Sequence, residues 1–181
     1  MIIRSRDDRH SQFPVFNLSG SALTESNEVK YLGHFICNDL SDDKDMYRQC
    51  RRLYAQANTL CRKFMSCSVP VKLTLFRTFC TPLYTAQLWC RYRQSSLRRL
   101  TVAYNDSMRL LLRIPRSCSA SHMFVNTGIS TCPAVLRNLM YRFICRLDIS
   151  KNVIISALCN PKHSSVRFAS SMWCHWRSCL H

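Results

Sequence analysis

The amino-acid sequence predicts a mainly α fold, a helical bundle preceded by a short N-terminal β-hairpin. From residue 46 onward, apolar residues recur at intervals of three and four, which is the spacing of one face of an α-helix. Prolines and a glycine divide this part of the chain into segments of helical length. Before residue 40, β-branched and aromatic residues are concentrated in two short runs separated by a Ser-Gly-Ser turn, which is typical of strands.

The two predicted strands lie at residues 13–18 and 29–36. The turn between them falls at Ser19-Gly20-Ser21, because glycine and serine favour the tight turns of hairpins. The second run, from Val29 to Ile36, is predicted to form one continuous strand. We therefore expect residues 1–40 to contain a β-hairpin or a small sheet.

A long basic helix is predicted to follow, running to about Cys67. Ser41 can cap the free backbone N–H groups at its start, and Asp42 and Asp43 complement the positive end of the helix. An apolar seam comprises Met46, Cys50, Leu53, Ala57, Leu60 and Phe64. At about 100° per residue, five cations fall within roughly 120° on the opposite face: Arg48, Arg51, Arg52, Arg62 and Lys63.

Further helices are predicted along the rest of the chain. Pro70 suits a first turn, and Pro82 predicts a break near Thr81. The core candidates of this second helix are Val71, Leu75, Phe76 and Phe79. A third helix is predicted to begin at residue 95 or 96 and end before Pro115, with inward positions Leu97, Leu100, Tyr104, Met108 and Leu111 and cations Arg98, Arg99, Arg109 and Arg113.

The C-terminal part is predicted to hold a short helix over residues 120–127, closed by Gly128, then a helix from about Cys132 to Leu147 and another at 153–158. The inward residues predicted for the long one are Leu136, Met140, Phe143 and Leu147. This organisation predicts a hairpin unit at residues 1–40, a helical bundle at 41–117 and a helical extension at 118–181.

The charge of the chain favours a polyanionic partner. Lys and Arg number 26 against ten Asp and Glu, a net charge of +16, and residues 41–181 hold 22 of the basic residues but only five acidic ones. Nucleic acid is the commonest such partner, and an anionic membrane surface is the alternative. No run is long enough to cross a bilayer and no secretory signal is visible, so we expect an intracellular, water-soluble protein of the nucleus or cytoplasm with its 12 cysteines reduced.

Several short blocks also resemble, in order, the primer grip and thumb of non-LTR (LINE-type) retrotransposon reverse transcriptases. These blocks are Tyr31-Leu32-Gly33 within residues 29–36, Tyr54-Ala55-Gln56-Ala57-Asn58, Cys80-Thr81-Pro82-Leu83-Tyr84-Thr85-Ala86 and Ala103-Tyr104-Asn105-Asp106. The resemblance implies a primer-grip role for Tyr31, Leu32 and Gly33, with Gly33 allowing close approach to nucleic acid, and a thumb-like bundle that holds an RNA/DNA duplex through its phosphates without sequence preference. The parent enzymes use Mg²⁺ held by palm carboxylates, and the resemblance places this chain after that palm.

No catalytic or metal site is predicted. Asp7-Asp8 lies too close to Tyr31 to match the catalytic pair of that family, and no second carboxylate segment completes a two-metal site. The segment 174–181 contains possible zinc ligands, but their spacing is atypical of structural zinc sites, and no partner is identified for His34. We therefore expect no cofactor and no catalysis from the isolated chain. The alternative is an inert or protein-binding helical scaffold from a degenerate mobile element, in which strand 29–36 leaves an unpaired edge.

Overall fold

The computed structural model describes residues 16–159 of the 181-residue chain. Within this range the chain forms four short strands, six α-helices and one turn of 3-10 helix. The strands are β1 (Asn17–Leu18), β2 (Ser21–Ala22), β3 (Glu28–Tyr31) and β4 (His34–Cys37). The helices are α1 (Asp43–Phe64), α2 (Val69–Phe79), α3 (Gln94–Leu112), α4 (Ala120–Thr127), α5 (Cys132–Asp148) and α6 (Val153–Cys159), with the 3-10 turn at Ala86–Leu88. The mainly α fold class is confirmed.

The N-terminal region forms two hairpins, and the prediction of one continuous strand over residues 29–36 is wrong. Strands β3 and β4 pair antiparallel with Tyr31 opposite His34, so the chain reverses at Leu32-Gly33. Both turn residues have positive φ, 46° for Leu32 and 81° for Gly33, as a tight primed hairpin turn requires. The reversal escapes the sequence pattern because leucine rarely adopts this conformation and the β-type residues continue on both sides of it.

Helix α1 begins one or two residues later than its sequence signals suggest. Ser41 Oγ accepts a hydrogen bond from the Asp43 amide at 3.3 Å, but the residue preceding the helix is Asp42, whose carboxylate makes no cap. Asp42 instead accepts hydrogen bonds from the amides of Cys90 and Arg91, each at 2.8 Å. Asp42, which was expected to complement the positive end of the helix, therefore holds the loop before α3 instead.

Helices α1 and α3 lie side by side and run in the same direction. At their N-terminal ends Arg93 Nε lies 3.6 Å from Asp43 Oδ2, and at their C-terminal ends Arg113 Nε donates to the Met65 sulfur at 3.0 Å. Helix α2 and the loop before α3 bring the chain back to the start of α1. Cations on either helix can therefore contribute to one elongated surface.

A single core lies among α1 to α5. Tyr104 is at its centre, with its ring centroid 5.2 Å from Phe76 in an edge-to-face pair and 6.0 Å from Phe124 in a stacked pair. Its hydroxyl donates to the Ser130 carbonyl at 3.1 Å, so the buried hydroxyl has a hydrogen-bond partner. The predicted seam of α1 is buried apart from half-buried Phe64, and the predicted face of α3 is buried apart from half-buried Leu97.

Two predicted core faces need correction. On α2 the residue that enters the core is Phe76, whereas Val71 and Phe79 are exposed, and Leu75 is half-buried. On α5 Leu136 and Met140 are buried as predicted, while Phe143 and Leu147 are only half-buried. The face of α5 is rotated toward Cys132, Val135 and Ile144, which are buried instead.

The nine cysteines from Cys37 to Cys145 are free thiols. Cys50, Cys80 and Cys132 are buried, whereas Cys145 is half-buried. Burial raises the pKa of Cys80 and of Cys132 to about 12. Within the same residues, no helix combines the length and apolar character that a membrane span requires.

Candidate nucleic-acid interface

The nine cations predicted to bind nucleic acid fall into two groups, those engaged inside the protein and those exposed on it. Arg48 belongs to the first group. Its Nε donates to Asp45 Oδ1 at 2.8 Å, and its Nη2 lies 2.7 Å from the same oxygen. The guanidinium also lies over the Phe35 ring, 6.0 Å from the centroid. Arg48 therefore neutralises a buried carboxylate and joins α1 to β4.

Arg109 is engaged in the same way on α3. Only 15% of its side chain is exposed, its Nη1 lies 3.5 Å from Asp106 Oδ1, and its Nη2 donates to the Cys118 carbonyl at 3.1 Å. The loop after α3 covers this guanidinium. Arg109 thus ties the loop to the helix, and its charge is partly offset by Asp106.

The remaining seven cations lie at the surface. Arg52 is half-buried and adjoins Cys80. Burial raises the pKa of the Cys80 thiol, and the charge of Arg52 opposes this larger effect. Arg52 and Lys63 lie on the side of α1 away from α3, at about 40° to 60° from Arg48 at ~100° per residue. The other five are exposed, on α3 or on the side of α1 nearer α3: Arg51, Arg62, Arg98, Arg99 and Arg113.

We call this region the α1/α3 surface; its residues are Tyr47, Arg51, Tyr54, Arg62, Arg99 and Arg113. Two independent contacts fix its geometry. The Arg99 guanidinium lies over the Tyr47 ring at 5.7 Å from the centroid, and Arg113 contacts Met65 at the other end of α1. Because α1 and α3 are parallel, cations from both helices line one strip about as long as α1. A row of arginines on a rigid strip suits phosphate binding, because each planar guanidinium binds phosphate in a directional way.

Asp106 is an acidic group beside this strip. Its two oxygens lie 3.5 Å from Arg109 Nη1 and from Arg116 Nη2, respectively. Burial and the Asp106 charge both raise the pKa of Tyr54, which adjoins it. Asp106 is flanked by two guanidinium groups, so it subtracts little from the positive field of the surface.

The proposed primer-grip residues lie at the tip of the β3–β4 hairpin. Tyr31 and Leu32 are exposed by 63% and 74%. Gly33 is approached by protein: a Cβ there would lie 2.9 Å from Cε1 of Tyr84. The Tyr84 hydroxyl donates to the Leu32 carbonyl at 3.0 Å. Gly33, predicted to allow close approach of nucleic acid, therefore allows close approach of the Tyr84 ring, which fixes the tip.

A buried carboxylate, Asp45, organises the base of this hairpin, a role that was not predicted from the sequence. Asp45 Oδ2 accepts hydrogen bonds from Thr85 Oγ1 at 2.7 Å and from Trp89 Nε1 at 2.9 Å, and His34 Nδ1 lies 3.1 Å away. With Arg48 on Oδ1, four side chains from three parts of the chain converge on one fully buried group. No sequence signal marks this burial, because at ~100° per residue Asp45 falls with Lys63 on the polar side of α1.

Thr85 shows how strongly this cluster constrains the backbone. Its φ of 70° is unusual for a β-branched residue, and its hydroxyl is held by Asp45 and by the Tyr84 carbonyl. Gln49 Nε2 donates to the same carbonyl at 2.5 Å. These bonds place Tyr84 against the hairpin tip. A continuous set of contacts therefore connects α1, the loop before α3 and Leu32.

The prediction that His34 has no partner is wrong. Besides Asp45, its Nε2 lies 3.7 Å from Asp42 Oδ1. Burial raises the pKa of Asp42, although the Arg91 and Cys90 amides oppose this effect. For Asp45, burial also acts to raise the pKa, but hydrogen bonds from His34, Thr85 and the other donors outweigh it and hold the pKa well below its usual range. Asp45 is thus the ionised centre of the cluster.

Metal binding has no support in the described part of the chain, where no group of three or more His, Cys, Asp or Glu side chains could hold an ion. Asp7-Asp8 and the 174–181 segment lie outside residues 16–159. Comparison with known proteins gave no match to a family model, to a curated protein or to a solved structure. The interpretation of this surface therefore depends on its own geometry and charge.

Proposed function

We propose that this chain binds a nucleic-acid duplex through its sugar–phosphate backbone, without sequence preference, as the primer-grip and thumb part of a non-LTR retrotransposon reverse transcriptase. It holds the nucleic acid and does not itself carry out chemistry. The observation that carries the proposal is the α1/α3 surface, on which arginines from two parallel helices line one strip.

The charge balance supports a polyanion as the ligand. From Met46 onward the sequence has 21 basic residues and two acidic ones, Asp106 and Asp148. Such an excess is not neutralised within the segment, so self-repulsion destabilises the free protein and a bound polyanion relieves it. Arginine also forms directional, two-pronged bonds to phosphate, which favours backbone recognition over a diffuse ion cloud.

The position of the hairpin supports the primer-grip assignment. Its tip presents Tyr31 and Leu32 to solvent, and Tyr84 and the Asp45 cluster fix that tip relative to α1. A rigid exposed tip offers the ligand a point of contact separate from the α1/α3 surface. This arrangement is consistent with the order of the sequence blocks that resemble the reverse transcriptase family.

The proposal is tested by fluorescence anisotropy with labelled RNA–DNA and DNA duplexes of two unrelated sequences. The variant removes three charges of the α1/α3 surface while keeping aliphatic stems: Arg51→Gln, Arg62→Gln and Arg99→Gln. If each contacts a phosphate, the slope of log K against log salt becomes shallower by about 0.9 per residue, or ~2.7 in all. Affinity should fall alike for both sequences, because backbone contacts carry no base information.

The matched control removes three exposed arginines of α5, at Arg137, Arg142 and Arg146, and so changes the net charge equally. Arg48 is left intact because its loss would leave the buried Asp45 carboxylate without its ion-pair partner. We expect the α5 variant to keep most of the salt slope. Equal loss in both variants would mean that binding is a diffuse charge effect, and no salt-dependent binding by the wild-type chain would refute the proposed function.

A further inference from the structure

Two tyrosines lie among the arginines of the α1/α3 surface, and phosphate binding does not use them. Tyr47 is 51% exposed and Tyr54 is 39% exposed. Half-exposed tyrosine rings can contribute apolar area to a bound partner while their hydroxyl groups stay in water. Both lie on the α3 side of α1, next to Arg51.

The spacing of the two rings matches a nucleic-acid strand. Seven residues separate them, which is nearly two turns, so they lie on the same side of α1 about 10 Å apart. This distance corresponds to roughly three nucleotides at the ~3.4 Å rise of a stacked strand. Arg51 lies between them on the helix, where its guanidinium can reach the phosphates that join those nucleotides.

We infer that the α1/α3 surface also binds an unpaired strand, with Tyr47 and Tyr54 stacking on bases and the arginines following the backbone. In a duplex, the faces of the bases are stacked on each other, so protein aromatic rings reach them only when the bases are unpaired. Cationic grooves with interleaved aromatic side chains are typical of single-strand binding. The inference rests on the proposed function, because it requires that this surface bind nucleic acid at all.

The neighbours of the two rings also fit this role. The Arg99 guanidinium covers one side of Tyr47, which orients the ring and leaves its exposed half for a base. Tyr54 adjoins Asp106, whose charge adds to burial in raising the pKa of the Tyr54 hydroxyl. The Tyr47 ring is thus held in place before a ligand arrives, which lowers the entropic cost of stacking.

The test compares three labelled probes at one salt concentration: a 12-nucleotide oligothymidine, an abasic 12-mer with the same backbone charge, and a 12-base-pair DNA duplex. We expect the wild-type chain to bind oligothymidine at least about fivefold more tightly than the abasic strand, the lower limit for one stacked base. The variant Tyr47→Leu/Tyr54→Leu should bring this ratio close to one while keeping the affinity for the abasic strand. Circular dichroism verifies that the variant is folded.

Tyr141→Leu is the matched control, since Tyr141 is 57% exposed on α5, away from this surface, and we expect it to keep the wild-type ratio. If wild type binds both strands equally with a normal salt slope, or if the double variant keeps the preference, stacking is refuted while phosphate binding stands. If wild type binds none of the probes in a salt-dependent way, the proposed function itself fails. The abasic probe therefore separates the two failures.

Discussion

Replacing Asp45 by asparagine should destabilise the protein while leaving its shape intact. The carboxylate is fully buried and receives hydrogen bonds from Thr85 and Trp89 on one oxygen and from Arg48 on the other. Asparagine offers one oxygen and one NH₂ group. Whichever way the amide is oriented, its NH₂ group therefore faces either the Arg48 guanidinium or the Thr85 and Trp89 donors.

The size of the effect follows from this mismatch. A hydrogen bond to a charged group contributes about 1.5–3 kcal/mol, and a buried donor left without an acceptor costs about 1–3 kcal/mol. Arg48 is 27% exposed, so water compensates part of its loss, and the full 3–5 kcal/mol for breaking a buried ion pair is not expected. We predict that the free energy of unfolding falls by about 2–4 kcal/mol, a large share of the ~5–15 kcal/mol of a typical domain.

The assay is urea unfolding followed by far-UV circular dichroism, with Asp148→Asn as the control because Asp148 is exposed. The control should change the free energy of unfolding by less than about 0.5 kcal/mol. A loss of similar size in both variants, or a loss below 0.5 kcal/mol for Asp45→Asn, would refute the reasoning that this carboxylate organises the base of the hairpin.

The same carboxylate predicts how stability depends on pH. Because the pKa of Asp45 in the folded protein lies below the ordinary value of 3.8, its ionised form contributes stability that is present above that value and is lost as the pH falls below it. Asp42 has a raised pKa, so its contribution has the opposite sign and partly offsets this loss. Unfolding curves between pH 6 and 3 should show a smaller acid-induced loss for Asp45→Asn than for wild type, and equal slopes would contradict the assignment.

Two further substitutions test the hairpin tip and the core. Gly33→Ala should destabilise the protein more than Gly20→Ala in urea unfolding. Both glycines have φ near 80°, but only at Gly33 does an added Cβ meet the Tyr84 ring, at 2.9 Å. Equal losses in the two variants would mean that backbone strain alone matters. Phe76→Ala should cost about 3–5 kcal/mol in the same assay, since Phe76 is fully buried, whereas Phe79→Ala should cost under about 1 kcal/mol because Phe79 is 46% exposed; similar losses for the two variants would indicate that both side chains lie in the core, as predicted from sequence.

The helices were predictable because the features that specify them are local. The spacing of Met46, Leu53 and Leu60 defines the buried face of α1 from residues a few positions apart, and Gly128 ends α4 in the left-handed conformation that glycine favours. The exposed arginines of α1 and α3 follow from the same periodicity. Their position on one common strip does not, since it depends on the parallel packing of two helices about 50 residues apart in sequence.

What the tertiary structure alone decided is which polar side chains pair. Nothing near Arg48 in the sequence shows that Asp45 is buried, because that burial depends on Thr85 and Trp89, some 40 residues later in the chain. The turn at Leu32-Gly33 likewise depends on Tyr84, which occupies the space that a side chain on Gly33 would need. Periodicity can assign a residue to the polar side of a helix, but whether that residue meets water, a ligand or a buried carboxylate is settled by distant segments folding against it.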